Sequence, residues 1–252
     1  MRVAPRVLIG GLINSWGRQR TIALLPWLVL AIGLAGTAAV SEQTRRFGEQ
    51  EHLRIESTLL DNVSDALRNK LEINISMLAG VVGLFNSSVD VNRNNFATYY
   101  QTVALHTGQL KGVQGVGFAR LIPAPLLEAY EQRIRSEGFA NFILRPPGPR
   151  DLYSSIEFLE PFDWRNQRAF GFDMYSEPIR RQAMQAAWQS GAASLSGKVK
   201  LVQETQEDMQ RGVLIYLPVY ADRGLLPGAS TRRLLGWAYS PLRMNDLVNS
   251  SI

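Results

Sequence analysis

The first strong pattern in the chain is a run of twenty residues, from Thr21 to Val40, that contains no charged side chain. A helix rises about 1.5 Å per residue, so this run would reach about 30 Å, the thickness of a bilayer's hydrocarbon core. Residues 1–20 carry four arginines and no acidic residue, whereas the residues just after 40 carry charges of both signs. Because positive charge favours the cytoplasmic side, we predict a cytoplasmic tail at 1–20 and a transmembrane helix at 21–40.

Two other interpretations compete for the same run. Thr37 and Ala39 have the small side chains that precede a signal-peptide cleavage site, but a signal peptide's apolar region usually spans about 7–15 residues. A helix buried in a globular core would need protein against every face of the run. We therefore favour an uncleaved single-pass anchor in the cell inner membrane, with the remaining chain in the periplasm or outside the cell.

Residues 41–92 show an amphipathic pattern that is typical of a long helix. Apolar residues recur at steps of three, four and seven, and charged residues fill the other faces. The apolar positions are Leu53, Leu60, Val63, Leu67, Leu71, Ile75, Leu78, Val82 and Phe85. This stripe predicts a stalk helix that pairs with a second copy near the membrane, as a homodimer, and packs on the chain's own folded part further out.

Between residues 93 and 241 the pattern changes to short helices separated by alternating segments. Helices are predicted at Phe96 to Leu105, Pro123 to Ser136 and Glu177 to Gln189, the last capped by Ser176 and ended by Gly191. Strands are predicted at Gly112 to Arg120, Phe139 to Leu144, Ser154 to Glu160, Lys198 to Val202, Val213 to Tyr220 and Leu234 to Ser240. The predicted fold class is α+β: a transmembrane helix, a long stalk helix and a PAS-like mixed α/β domain that encloses a small cavity.

The glycines between Gly112 and Arg120 invite comparison with nucleotide-binding loops. Their spacing is G-x-x-G-x-G, which differs from the dinucleotide fingerprint, and no helix start follows them. We interpret them as positions where backbones pack closely.

Composition narrows the function. The chain has a formal charge of +5, but after the four tail arginines are removed, 23 Lys plus Arg face 22 Asp plus Glu in residues 41–252. The basic balance is therefore a membrane-orientation signal, and we expect no nucleic-acid partner. The chain has no cysteine, which excludes disulfide and thiolate chemistry.

A membrane-anchored extracytoplasmic hydrolase is the alternative function. The only histidines are His52, on the stalk, and His106, at a helix end, so a catalytic triad or a metal site would depend on one isolated imidazole. The segment Ser194 to Lys198 differs from a phosphate loop, because Ala192 and Val199 stand where Gly and Ser or Thr are needed. We expect no enzyme activity, no cofactor and no metal.

A longer series of residues resembles a known family, the CHASE domain. These residues are Tyr153-Ser-Ser-Ile156-Glu-Phe158-Leu-Glu160-Pro161, Asn166, Ala169, Gly171-Phe-Asp173-Met-Tyr-Ser176, Arg180-Arg181, Ala183, Gly191, Leu195-Ser196-Gly197, Leu201-Val-Gln203, Leu217-Pro218-Val219-Tyr220 and Gly236-Trp-Ala-Tyr239-Ser-Pro241. CHASE domains are extracellular sensors of plant cytokinin receptors and of bacterial histidine kinases and diguanylate cyclases. The resemblance implies a receptor input that binds a small organic ligand at 93–241, and 242–252 as the start of a truncated membrane-proximal part. The chain would then be either a fragment of a longer receptor, which we favour, or an unusually short protein.

The resemblance also suggests ligand-binding residues. Plant receptors with this domain use an Asp shortly before the Gly-x-Asp segment and a Thr after the helix and its glycine. Ser196 matches the Thr, while Asp163 and Trp164 match the Asp equally well by count. Asp173 belongs to the Gly-x-Asp segment itself.

Strand alternation adds two tyrosines to these candidates. Tyr216 and Tyr220 should point inward together with Pro218. An alternative stays open, in which Asp173 and Ser196 only cap or bridge the backbone and the tyrosines belong to the core. We expect Arg180 and Arg181, in the first turn of a helix, to be surface ion-pair partners.

Overall fold

The structure is a computed structural model that describes residues 13–107, 113–203, 211–221 and 233–249. Within these ranges, only the backbone is described for residues 13–25, 46–60, 106, 107 and 248. The chain divides into two compact units, Met1–Asn62 and Val63–Ile252. Most of the predicted tail, the last residues of the predicted 242–252 segment, and the side chains of His52 and His106 lie outside this description.

Six helices and six strands form the described part of the chain. The helices are α1 (Ile13–Ser87), α2 (Arg93–Thr107), α3 (Leu127–Ser136), α4 (Trp164–Gln167), α5 (Pro178–Ser190) and α6 (Met244–Asn249). The strands are β1 (Val116–Pro123), β2 (Leu152–Glu160), β3 (Ser194–Leu195), β4 (Val199–Lys200), β5 (Arg211–Tyr220) and β6 (Leu234–Arg243). Short 3-10 turns at Ala124–Leu126 and Met174–Ser176 precede α3 and α5.

The strands form one antiparallel sheet in the order β2-β1-β6-β5-β3, with β4 also paired to β5. Helices lie between the strands in sequence, so the unit Val63–Ile252, which we call the folded unit, is a mixed fold built on an antiparallel sheet. This is consistent with the predicted PAS-like α+β domain. β6 lies at the centre, where Tyr239 is paired with Gly117 on one side and Tyr216 on the other.

Three details of the predicted elements are wrong. Phe139 to Leu144 forms turns rather than a strand, because its alternating apolar side chains pack around α3. The cap of α5 is Glu177 rather than Ser176, since its carboxylate accepts hydrogen bonds from the backbone N–H groups of Ile179 and Arg180. The predicted strand from Lys198 to Val202 is limited to Val199 and Lys200, and β3 was not predicted.

The sheet is covered on both faces, so its strands contribute to two separate apolar cores. The α5 face is packed by α5 and the 3-10 turn before it, around Trp237, Tyr239, Tyr216, Leu214 and Met184. The opposite face is packed by α1 and α2, around Phe118, Phe158, Ile215, Val219 and Leu242. A third core lies under α3, around Ile122, Tyr130, Ile134 and Phe142.

Helix α1 confirms the predicted packing of the outer part of the apolar stripe. Leu67, Leu71 and Leu78 belong to the core of the opposite face, whereas Ile75 is partly exposed. Asn74 is buried on the same helix, and its Oδ1 lies 3.3 Å from the hydroxyl of Ser240 in β6. That hydroxyl also lies 3.1 Å from the carbonyl oxygen of Gly115, so a buried polar contact joins α1 to the central strand.

Gly115 and Gly117, before and within β1, confirm the prediction of close backbone packing, while Gly112 lies outside the described residues. A Cβ on Gly115 would lie 2.6 Å from the carbonyl oxygen of Glu160. A Cβ on Gly117 would overlap the ring of Tyr239 and lie 2.7 Å from the carbonyl oxygen of Phe158. Any side chain at either position would force neighbouring strands apart.

Among the described residues, no helix contains a segment long and apolar enough to cross a membrane. The predicted span at 21–40 begins with five residues for which only the backbone is described.

Candidate functional site

The candidate site lies on the α5 face of the sheet, where most of the predicted ligand residues are found. Helix α5 begins with Pro178, whose missing N–H falls where a helix has no internal acceptor, and ends at Gly191, which adopts a left-handed conformation with φ of 70°. Ala183, Met184 and Ala187 pack this helix against the sheet. The small alanines allow α5 to lie close to the strand residues beneath it.

Asp173 is fully buried at the edge of this layer. Its Oδ1 accepts hydrogen bonds from the backbone N–H groups of Ser154 at 2.8 Å and Tyr175 at 2.9 Å. Arg150 lies 3.4 Å from Oδ2, which has no hydrogen-bond partner among the described residues. Burial raises the pKa of this carboxyl, while the Ser154 N–H and the Arg150 guanidinium oppose the increase.

Ser196 holds two segments of backbone together. Its hydroxyl accepts a hydrogen bond from the N–H of Leu214 at 2.9 Å and donates one to the carbonyl oxygen of Gly197 at 2.8 Å. The side chain is buried. Asp173 and Ser196 thus both bind backbone, as the alternative interpretation of the sequence described, and both fix the walls of the α5 face.

The two tyrosines of β5 differ in their surroundings. Tyr216 is fully buried, and its hydroxyl donates to the thioether sulfur of Met174 at 3.3 Å, which is a weak acceptor. Tyr220 is only partly buried, and its hydroxyl donates to the carbonyl oxygen of Trp188 near the end of α5. Tyr216 therefore lies in the interior between α5 and the sheet, and Tyr220 contacts the end of α5 at its edge.

Asp163 lies apart from these four residues. It is the N-cap of α4, where its carboxylate accepts a hydrogen bond from the N–H of Asn166 at 2.8 Å. The pKa of Tyr100 on α2 is raised by burial most of all, then by the charge of Glu160 and then by that of Asp163. The structure brings Asp163 near α2 and the opposite face, while its competitor Trp164 is exposed.

Two buried residues of the α5 face were not predicted as site residues, Arg180 and Tyr239. The expectation that Arg180 lies on the surface is wrong, since only 4% of the residue is exposed. Its guanidinium donates to the carbonyl oxygen of Lys200 at 2.7 Å and lies 3.7 Å from the Glu177 carboxylate, and its Nε has no partner among the described residues. The hydroxyl of Tyr239, also fully buried, has no partner there either.

Arg180, Tyr216 and Tyr239 form one group, which we call the buried donor cluster. The rings of the two tyrosines lie 6.3 Å apart. Burial raises the pKa of both phenols, and the positive charge of Arg180 lowers both in part. The tyrosines therefore stay protonated at physiological pH, and their hydroxyls are donors on the same face of the sheet as the Arg180 guanidinium. The only sequence signals were the Arg-Arg pair and the position of Tyr239 on an apolar strand.

A second buried charge lies away from this site. β2 bulges opposite Phe118 and Ala119, so Glu157 is an extra residue in that strand and its side chain is fully buried. The Glu157 carboxylate accepts hydrogen bonds from Arg120 and, at 2.9 Å, from Arg133, while its carbonyl oxygen accepts one from Arg93 at 2.8 Å. This network joins α2 and α3 to the sheet and has a structural role.

Three clefts formed by described residues are lined by other parts of the chain. The largest, of about 590 Å³, lies beside Phe139, Phe142 and Phe170, and the two others, of about 370 and 160 Å³, lie beside Arg93. None of the five predicted ligand residues lines them. In the described part of the chain, no group of three His, Asp or Glu side chains lies close enough together to hold a metal ion.

Comparison with known proteins identifies the family. The model of the CHASE domain matches residues 89–252, which is well over half of the chain and includes the whole sheet. No curated protein matches the sequence. CHASE domains are non-catalytic sensor domains of signalling receptors that bind small molecules, in agreement with a layer of buried polar groups under α5. The match and the fold together establish that the chain belongs to the CHASE domain family.

Proposed function

We propose that this chain is the ligand-sensing input module of a membrane receptor, of the histidine kinase or diguanylate cyclase type, and that it binds a small organic ligand outside the cytoplasm. The observation that carries the proposal is the buried donor cluster. Two of its polar atoms, the Arg180 Nε and the Tyr239 hydroxyl, are buried without a partner among the described residues. Such a group costs about 1–3 kcal/mol, and a bound ligand that supplies the missing acceptor would remove this cost. A ligand site needs such convergent polar groups between apolar walls.

The predicted site residues have separate roles in this proposal. Tyr216 faces the ligand, Asp173 and Ser196 hold the backbone on either side of it, and Tyr220 fixes the end of α5. Asp163 stays a prediction from the family resemblance, because its carboxylate caps α4 and its charge acts on the pKa of Tyr100 in α2.

The membrane part of the proposal rests on the first forty residues. Between residues 27 and 40, large apolar side chains of α1 are mostly exposed, for example Trp27 at 70% and Leu30 at 53%. An unbroken exposed apolar surface of this kind needs lipid or protein around it, and the arginines of residues 1–20 favour a cytoplasmic tail. In this proposal the folded unit lies in the periplasm or outside the cell.

Signal transfer in this proposal uses the two faces of the sheet. A ligand that binds better to one packing of α5 against the sheet shifts the population towards that packing. The outer part of α1 packs on the opposite face of the same strands, so it is the element that would follow. Residues 41–92 of two copies would form a dimer that carries the change to an output domain elsewhere in the receptor.

Ligand binding is tested by measuring the Tm of the full chain in mild detergent, with and without purines, organic acids, amides, alcohols and amines. A compound that binds only the folded state at about 100 times its Kd should raise the Tm by about 5–10 °C. Tyr216→Phe should reduce that shift. Tyr153→Phe removes a hydroxyl that donates to the Gly148 carbonyl oxygen and accepts from the Arg150 N–H beside the core under α3, and it should keep the shift. Equal shifts in both variants would contradict the proposed site. Turnover of ester, phosphate or glycoside substrates that is lost in His106→Ala would support the hydrolase instead.

The topology is tested with intact cells. Protease added outside, after the outer membrane is made permeable, should digest the folded unit and leave the tail protected, and the chain should stay with the membrane after alkaline extraction. A chain that is recovered in the cytosol would overturn the membrane part of the proposal. As a matched control, deleting 21–40 should release the protein from the membrane.

A further inference from the structure

The buried donor cluster contains more hydrogen-bond donors than acceptors. Arg180 has five N–H donors and no acceptor. Its guanidinium donates to the carbonyl oxygen of Lys200 and lies 3.7 Å from the Glu177 carboxylate. The Glu177 carboxylate is already engaged, because it accepts hydrogen bonds from two backbone N–H groups at the start of α5. The Nε of Arg180 is buried and has no acceptor among the described residues.

The tyrosines add to this excess. The Tyr239 hydroxyl is buried without a partner in the described structure, and the Tyr216 hydroxyl has only a thioether sulfur as its acceptor. Burial raises the pKa of both hydroxyls, so each still carries its proton at neutral pH. The buried carboxylate of Asp173 is directed at other groups, because its Oδ1 accepts two backbone N–H groups. Its Oδ2, which has no hydrogen-bond partner among the described residues, lies 3.4 Å from the Arg150 guanidinium.

We infer that the ligand of this receptor module carries an anionic oxygen group, as in a carboxylate, and that Arg180, Tyr216 and Tyr239 bind this group. The inference rests on the proposed function, since it names the ligand class for the site described there. A carboxylate offers about four lone pairs, which match one guanidinium and two hydroxyl donors, and its charge compensates the buried cation. Trp237, Met184 and Leu214 are apolar residues of the same core, and in this inference they contact the carbon skeleton of the ligand.

The experiment compares carboxylates with their uncharged amides, because each pair has nearly the same size and shape. The full chain in mild detergent is heated with acetate, propionate or benzoate, and separately with acetamide, propionamide or benzamide. Sodium chloride at equal ionic strength corrects for general salt effects on stability. Carboxylates should raise the Tm by about 5 °C or more at saturation, and the matched amides should not.

Three variants assign that shift to the cluster. Tyr239→Phe removes one unpartnered hydroxyl without changing the ring, so it should fold normally and weaken carboxylate binding by about tenfold to a hundredfold. Arg180→Gln should abolish the shift. Arg181→Gln is the matched control, since it removes the same charge from the next residue, whose guanidinium donates to the carbonyl oxygen of Tyr175, and it should keep the shift.

The outcomes separate this inference from the proposed function. A shift with carboxylates that persists unchanged in Tyr239→Phe overturns the inference, because the hydroxyl then takes no part. Shifts with amides, alcohols or purines but with no carboxylate also overturn it, while they support a ligand-sensing role. If neither charged nor uncharged compounds change the Tm, both the inference and the proposed small-molecule site are wrong.

Discussion

Replacing Glu157 by Gln should destabilise the folded unit much more than any exposed charge in the same network. Glu157 is 1% exposed as a side chain and forms ion pairs with Arg120 and Arg133. Gln keeps the shape of Glu but loses its charge, and its NH₂ group replaces one of the two carboxylate oxygens that accept hydrogen bonds from the arginines. Removing one partner of a buried pair costs about 3–5 kcal/mol, but the arginine side chains are 26% and 44% exposed and can regain water, so we expect about 2–4 kcal/mol.

The matched control is Glu137→Gln. Glu137 contacts Arg93 at 3.1 Å and Arg133 at 2.6 Å, but its side chain is 31% exposed, so its loss should cost only about 0–1 kcal/mol. Both free energies of unfolding come from urea titrations of the full chain in mild detergent, followed by tryptophan fluorescence, which reports the buried Trp237. A cost for Glu157→Gln within about 0.5 kcal/mol of the control would refute the argument that the bulge buries a charge of structural importance.

Three further substitutions test other features of the fold. Tyr239→Phe should leave the stability of the ligand-free chain unchanged or raise it by about 1 kcal/mol in urea titrations, since the hydroxyl that it removes has no partner in the described structure; a large loss would mean that the hydroxyl is bonded. Asp173→Asn should lower the free energy of unfolding most below pH 3.8 and less as the pH rises above that value, because the raised pKa of Asp173 gives stability that is lost as the carboxyl ionises; a cost that grows with pH would show the opposite shift. Gly117→Ala should lower stability by about 1–3 kcal/mol or more, because the new methyl group overlaps the Tyr239 ring, and an unchanged Tm would contradict that packing.

Local patterns of apolar and polar residues predicted many elements of the folded unit. Alternation located β2, β5 and β6, helical spacing located α2, α3 and α5, and Gly191 ended α5 as its sequence position predicted. These features depend on residues a few positions apart, so the sequence contains the information directly. The segment from Phe139 to Leu144 misled the prediction, because its apolar residues are buried by α3 and its alternation therefore does not reflect a sheet.

The candidate site was only partly predictable, since its polar groups come from distant parts of the chain. Tyr216 was predicted from alternation, but Arg180 and Tyr239 meet it only because α5 crosses the sheet at that point. Glu157 was missed for a similar reason, since its burial requires the bulge in β2 and arginines from β1 and α3. Long-range contacts of this kind leave little trace in local spacing.

Neighbouring residues of a strand point to opposite faces, and this geometry gives the contact between Ser240 and Asn74 a particular consequence. Tyr239 belongs to the buried donor cluster, and the next residue, Ser240, is held by α1 and by the backbone of Gly115. One peptide unit of β6 therefore separates the buried donor cluster from the residue that contacts helix α1. A displacement of the Tyr239 ring that moves its own backbone also displaces Ser240, the residue that contacts Asn74 on helix α1.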